Sequence, residues 1–254
     1  MQEANDGTRI ALVTGASRGI GRATALALAG AGVHVIAMAR TQGALEELDD
    51  EIKTLRPDAK GLVTLVPCDL RDQPAIDRLG EAIYKRWGRL DALVGNAGLL
   101  GPLSPLHHVD PKQWDEVLAV NVTANWRLIR ALDPLLRISK AGRAVFISSG
   151  AGHRSQLRAY WGPYAVTKAA LDALVRTYAA ETVNTSNIRV MLANPGPLRT
   201  KMRAAAMPGE DPNSLRTPEE FAPKIVEMCS ERWQETGQLY DFPQDKLLSF
   251  RGPE

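Results

Sequence analysis

Short apolar runs rich in β-branched residues recur along the chain at 10–13, 33–38, 62–66, 92–94, 144–147 and 188–192. Between them lie longer stretches with apolar positions at helical spacing, 19–31, 44–55, 74–87, 111–137 and 163–183. A run that is apolar throughout, not merely at every second position, suits a strand covered on both faces. Strands of that kind alternating with helices predict an α/β fold. The expected architecture is a doubly wound parallel sheet of about seven strands, with right-handed crossovers and helices on both faces. A short helix at 218–230 and a last strand at 238–242 complete the pattern. The segment 199–218, rich in Pro, Gly, Met and charge, reads as a mobile loop. No repeat, linker or shift in composition marks a second domain. Residues 1–254 are therefore expected to form one domain, with its core at about 9–242.

The uncharged stretch 23–39 is the one place that could be mistaken for a membrane span. It is slightly short and is interrupted by Gly30, Gly32 and His34, which predicts a buried helix followed by a buried strand. Thirty-one basic residues against 29 acidic ones leave a net charge of +2. That is too little to point to nucleic acid or a membrane surface as a partner. The polar N-terminus lacks the apolar run of a signal peptide, and Cys68 and Cys229 have no motif spacing. The expected setting is reducing and cytoplasmic. The glycosylation sequons at Asn121 and Asn184 then read as chance. His107 and His108 read as loop surface, and no metal is expected because no Cys, His and acid group has ligand spacing.

The first strand runs directly into Thr14-Gly15-Ala16-Ser17-Arg18-Gly19-Ile20-Gly21. Glycine allows a tight turn and a close backbone approach to a pyrophosphate, and the following helix offers free N–H groups and a positive dipole end. An ordinary turn also uses glycine, but the strand-to-helix context favours a dinucleotide. Where the second strand ends, Ala39 occupies the place of the acid that binds the ribose hydroxyls of NAD. Arg40 follows it, and Arg18 sits in the glycine turn. Either arginine could be plain surface charge. Together with the missing acid they predict NADP as the preferred cofactor, with NAD as the other possibility.

Further motifs follow in order: Asp69 with Leu70 after the third strand, Asn96-Ala97-Gly98 after the fourth, and Asn121 within the next helix. Ser149 ends the fifth strand, and Tyr164-x3-Lys168 and Pro195-Gly196-Pro197-Leu198-Arg199-Thr200 come after it. This ordered set, with its Thr-Gly-x3-Gly-x-Gly turn, resembles the short-chain dehydrogenase/reductase family from about residue 9 to 242. The stretches 96–102 and 195–212 are similar in particular to the bacterial YciK-like branch.

The resemblance implies a Rossmann-like fold and an oxidoreductase that interconverts an alcohol and a carbonyl, with transfer of the pro-S hydride. It implies that Gly15, Ser17, Arg18, Gly19, Ile20 and Gly21 hold the cofactor at the glycine turn. It further assigns Asp69 and Leu70 to the adenine end and Asn96, Ala97 and Gly98 to the cofactor's path. Pro195, Gly196, Leu198 and Thr200 would flank the nicotinamide, with Thr200 on its carboxamide. Asn121, Ser149, Tyr164 and Lys168 are the implied catalytic set. Lys168 would also bind the nicotinamide ribose, and Asn121 would hold a water linking Lys168 to solvent.

The residues themselves support the acid/base assignment. Tyr164 and Lys168 share a helix face. A free tyrosine, with a pKa near ~10, is a poor base at neutral pH. A nearby ammonium would lower that value. Ser148 is the rival to Ser149, but neighbouring strand residues face opposite ways, so only one should reach the substrate. Ser149 fits the family's Ser-x2-Gly, although the gap from Ser149 to Tyr164 is longer than usual and leaves the loop shape open.

Tyr160, Trp161, Leu99, Leu100, Met202 and Met207 are candidate pocket residues and equally candidates for ordinary packing. Arg154, Arg158, Arg199, Lys201 and Arg203 are expected near the pocket mouth. They would either attract an anionic substrate or be solvated surface. The expected partner is a small carbonyl or alcohol. A homodimer or homotetramer through 111–137 and 163–183 is implied by the resemblance. The alternative reading is a non-catalytic NADP-binding sensor on the same fold. Substrate, direction and dimer against tetramer stay open.

Overall fold

The computed structural model describes residues 7–57, 61–153 and 158–250. Among these residues eight strands form one sheet in the order β3-β2-β1-β4-β5-β6-β7-β8. These are β1 (Ile10–Thr14), β2 (His34–Ala39), β3 (Val63–Pro67), β4 (Ala92–Gly95), β5 (Arg143–Ile147), β6 (Arg189–Asn194), β7 (Leu239–Asp241) and β8 (Lys246–Leu248). The first seven run parallel, and β8 turns back antiparallel to β7 at the edge. The sequence pattern misses β8 because it is three residues long with two exposed.

Alternation along each strand explains the unbroken apolar runs. Ile10 and Leu12 enter a core with Leu79, Leu128 and Leu171 of helices α3 (Gln73–Trp87), α5 (Ala124–Ile138) and α7 (Gly162–Thr182). Ala11 and Val13 enter the opposite core with Leu28, Leu48 and Phe221 of α1 (Gly19–Gly30), α2 (Gln42–Leu55) and α9 (Pro218–Met228). Residues of the central strands β1, β2, β4 and β5 are thus buried against one helical layer or the other. The uncharged stretch 23–39 splits between α1 and β2 at Gly32, whose φ of 81° suits glycine. Among the described residues no helix is long and apolar enough to cross a membrane.

Two expectations need correction. The single helix expected at 111–137 is α4 (Pro111–Leu118), a five-residue π-helical segment (Ala119–Thr123) and then α5. The widened turn coincides with Asn121, whose carbonyl accepts a 2.8 Å hydrogen bond from the Asn125 side chain. The segment 199–218 is not an open loop. It contains α8 (Lys201–Ala206) and a 3-10 turn (Pro212–Ser214), and Arg199 N–H donates to the Arg216 carbonyl at 2.9 Å.

The chain passes from β3 back across the sheet to β4, on the other side of β1. Strand order therefore reverses between β1 and β4, and a crevice opens beyond their carboxyl ends.

Candidate functional site

A cavity of about 630 Å³ occupies that crevice. Beneath it, the buried Thr14 ends β1 and ties the chain after β4 to the glycine turn. Its hydroxyl accepts from the backbone N–H of Asn96 and of Ala97, each at 3.0 Å. The Asn96 side-chain amide returns a 2.8 Å bond to the Thr14 carbonyl. A Cβ on Gly21 would lie 2.3 Å from the Gly15 carbonyl oxygen and 2.5 Å from Asn96 Nδ2, so only glycine lets α1 start this close to the turn. Gly15 and Gly19 both have positive φ, 67° and 55°.

The start of α1 faces the cavity and has no acidic residue in its first turn. Gly15, Ser17, Arg18, Gly19 and Ile20 line the cavity, but Gly21 lies behind the turn. Its other wall carries Ala39, Arg40, Asp69 and Leu70, then Asn96, Ala97 and Gly98. A cradle of backbone N–H groups, exposed Arg18 and Arg40, and no carboxylate at Ala39 fit a phosphorylated dinucleotide. Asp69 is more constrained than the sequence suggests. Its carboxylate accepts from Arg71 Nη2 at 2.6 Å and from Arg71 Nε, and these bonds hold it below the usual carboxylate range. Arg71 also reaches Glu116 at 2.5 Å.

The far end of the cavity gathers Ser149, Tyr164 and Lys168 beside Pro195, Gly196 and Leu198. Tyr164 is 9% exposed. Burial pushes its phenol up, and a hydrogen bond with Ser149 acts in the opposite direction. Lys168 Nζ donates to the Ile147 carbonyl at 2.7 Å and lies 5.7 Å from the centre of the Tyr164 ring. Burial lowers Lys168 to about 8, partly opposed by Asp172. The expected lowering of Tyr164 by the ammonium is therefore not found: desolvation of the phenol is the largest influence, and the Ser149 hydrogen bond is what opposes it.

Asn121 is fully buried and acts as a clip. Its Oδ1 accepts from Leu99 N–H at 2.8 Å, and its Nδ2 donates to the Leu99 carbonyl and to Thr167 Oγ1, both at 2.9 Å. One side chain thus ties the π-helical segment to the chain after β4 and to the helix that carries Tyr164 and Lys168. π-helical turns of this kind recur at functional sites.

A family model described as short chain dehydrogenase matches residues 9–211. The chain belongs to the short-chain dehydrogenases. It is 38% identical over 236 residues to the oxidoreductase YciK of Escherichia coli K12, covering 92% of this chain and 91% of that protein. A short-chain dehydrogenase from Escherichia coli CFT073, solved in complex with NADPH, is 38% identical with a TM-score of 0.83. That match covers 92% of this chain and 95% of the other. A Shigella flexneri 2a relative complexed with NADP is 36% identical with a TM-score of 0.84, covering 92% and 96%.

Within this short-chain dehydrogenase, the structure separates the two serines. Both border the cavity, but Ser149 pairs with Tyr164, whereas the Ser148 hydroxyl donates to the buried Asp172 at 2.5 Å. Thr200 lines the cavity, but its hydroxyl also caps α8 by accepting from Arg203 N–H at 3.1 Å. Trp161, Leu99, Leu100 and Met202 line the cavity. Tyr160 does not: it is 60% exposed. Met207 faces a smaller neighbouring pocket of about 270 Å³. Arg158, Arg199, Lys201 and Arg203 are at the mouth, and Arg203 is paired with Glu210 at 2.5 Å. Arg154 lies outside the described residues. Among the described residues no three His, Cys, Asp or Glu side chains gather to hold a metal.

Sequence reasoning missed Thr14 and Asn194 as organisers of the site. Asn194 Oδ1 accepts from Gly150 N–H and Gly196 N–H, each at 3.1 Å, so it joins the turn after Ser149 to the turn after Pro195. Its Nδ2 donates to the buried Asp241 at 2.5 Å. The available signal was a polar residue directly after the apolar run 190–193.

Proposed function

We propose that this short-chain dehydrogenase is an NADP(H)-dependent oxidoreductase interconverting a carbonyl and an alcohol, with Tyr164 as its general acid and base. The observation that carries the proposal is the convergence of Ser149, Tyr164 and Lys168 at one end of the cavity whose other end is the glycine cradle with Arg18 and Arg40. The two relatives solved with NADP and NADPH support the cofactor. The whole chain is read as one nucleotide-binding domain, and as the protomer of a homo-oligomer.

In this reading Gly15, Ser17, Arg18, Gly19, Ile20 and Gly21 form the pyrophosphate turn, and Arg40 meets the 2′-phosphate. Asp69 and Leu70 border the adenine. Asn96, Ala97 and Gly98 support the middle of the cofactor, while Pro195, Gly196, Leu198 and Thr200 border the nicotinamide. When bound, the cofactor supplies or accepts a hydride. Ser149 and Tyr164 orient the substrate oxygen by hydrogen bonds. The Tyr164 phenol delivers a proton to that oxygen in reduction and takes it back in oxidation. Lys168 contributes positive charge beside the phenol, and Asn121 keeps its helix in register with the wall at Leu99. Burial of Tyr164 favours the neutral phenol, which is the form that reduction requires.

The test is carbonyl-dependent oxidation of NADPH across an aldehyde and ketone panel, with Tyr164→Phe as the control. Loss of at least ~100-fold in kcat, the lower range for a general acid or base, with NADPH binding retained, is expected. Wild-type turnover in the variant would remove Tyr164 from the mechanism. Tight NADPH binding without turnover on any carbonyl would favour the sensor reading.

A further inference from the structure

We propose that Asp172 is a positioning residue for the reaction: anchored by Ser148, its buried carboxylate is the counter-charge that keeps Lys168 an ammonium. The inference rests on the role of Lys168 given above. Lys168 is 4% exposed and Asp172 is 3% exposed. They stand one helical turn apart on α7, on the same face. An ammonium withdrawn from water at this depth tends to lose its proton unless an opposite charge stands near it. Asp172 is the charge that opposes the downward shift of Lys168.

The carboxylate is itself held. Its Oδ1 accepts the Ser148 hydroxyl at 2.5 Å. Among the described residues its Oδ2 has no hydrogen-bond partner, and it lies 3.6 Å from His153 Nδ1, a buried atom likewise without one. An uncompensated carboxylate in such a place is costly. Among the described residues two titratable groups stand near it: Lys168 one turn back on its own helix, and His153 on the short helix α6 (Gly150–His153). Glycine lets that helix lie directly on α7, because a Cβ on Gly152 would sit 2.7 Å from the Lys168 carbonyl carbon. The end of β5 contributes the Ser148 hydroxyl and the Ile147 carbonyl, and the π-helical segment contributes Asn121. None of these titrates in the working range. Among the described residues Tyr164 is the remaining titratable neighbour of Lys168. Consecutive residues at the end of β5 thus serve the two ends of one device, Ser149 toward Tyr164 and Ser148 toward Asp172.

The test is a pH titration of Lys168 in the cofactor-free protein by NMR of 13Cε-labelled lysine, with its resonance assigned by its loss in Lys168→Arg. The wild-type midpoint is expected near pH 8, at about 8. Asp172→Asn should lower it by about one pH unit or more, and Asp172→Glu should restore most of the difference. The pH at which NADPH oxidation declines should move with the midpoint. An unchanged or raised midpoint in folded Asp172→Asn overturns the proposal. If that variant does not fold, Ser148→Ala carries the test: a lower midpoint supports the role, and an unchanged one overturns it. The NMR midpoint needs neither substrate nor turnover. It therefore fails separately from the enzymatic reading, which would fail if the wild type reduced no carbonyl.

Discussion

At the residue scale, the acid/base pair has opposite sensitivities to burial. Desolvation raises Tyr164 and keeps it a phenol, while it lowers Lys168 to about 8. The neutral acid and the ammonium therefore coexist below that value. Carbonyl reduction should hold at neutral pH and decline as pH rises through about 8, when Lys168 loses its proton. Initial rates with saturating NADPH across pH 6 to about 10 would check this; a flat profile would contradict it. The pairing of Tyr164 with Lys168 was legible because spacing four on a helix fixes a shared face. The behaviour of their pKa values was not, because it depends on how deeply the helix is buried and on which carbonyl the ammonium finds. Alternation set Ser148 apart from Ser149, but could not reveal that the Ser148 hydroxyl meets a carboxylate.

At the element scale, the glycine turn works by tolerance of close backbone approach. Adding a methyl at Gly21 would drive a Cβ against the Gly15 carbonyl and Asn96, neither of which can withdraw without breaking the Thr14 network. Gly21→Ala should cost about 1–3 kcal/mol of stability and weaken NADPH binding at least about tenfold. Thermal melts and a cofactor titration read both effects; wild-type values in both would refute the close-approach argument. The turn was legible because strand, glycines and helix are contiguous in sequence. The π-helical segment was not. Its apolar positions Val117, Val120, Ala124 and Leu128 keep spacings of three and four, so one widened turn leaves no mark on the pattern. What widens it is a set of contacts with Leu99, Thr167 and Asn125. In the same way α8 is only six residues long, too short for periodicity to register. Its cap at Thr200 and the Arg203–Glu210 pair support it.

At the scale of the whole molecule, the two rims of the sheet have different tasks. The carboxyl ends of the strands open into the cavity, and the amino ends are tied together by buried arginine. Arg143 is 2% exposed, and its guanidinium donates to the carbonyls of Gly142, Ser230 and Glu231 at 2.8, 3.0 and 2.8 Å. Replacing it by Met leaves those acceptors without their donor and should cost about 2–3 kcal/mol. NADPH affinity should be unchanged, because the substitution lies at the opposite end of β5 from Ile147. Urea denaturation with a parallel cofactor titration would check the separation. The parallel strands themselves were legible in the apolar runs, whereas their order in the sheet was not, because periodicity says nothing of which strands pair. The short edge strand β8 escaped because it is mostly exposed. Subunit contact through α5 and α7 would cover Trp126 and Val166, which are 45% and 44% exposed.

The most direct test of the account is cofactor choice. Purified protein would be titrated with NADPH and with NADH by nicotinamide fluorescence at one fixed salt concentration, with Arg40→Ala alongside. The account predicts clearly tighter binding of NADPH. It also predicts a loss of about tenfold in Arg40→Ala for NADPH alone, the scale of one charge-assisted hydrogen bond at an exposed site. Equal or tighter binding of NADH would contradict the reading of Ala39 and Arg40. Binding of neither by the folded protein would contradict the dinucleotide site itself.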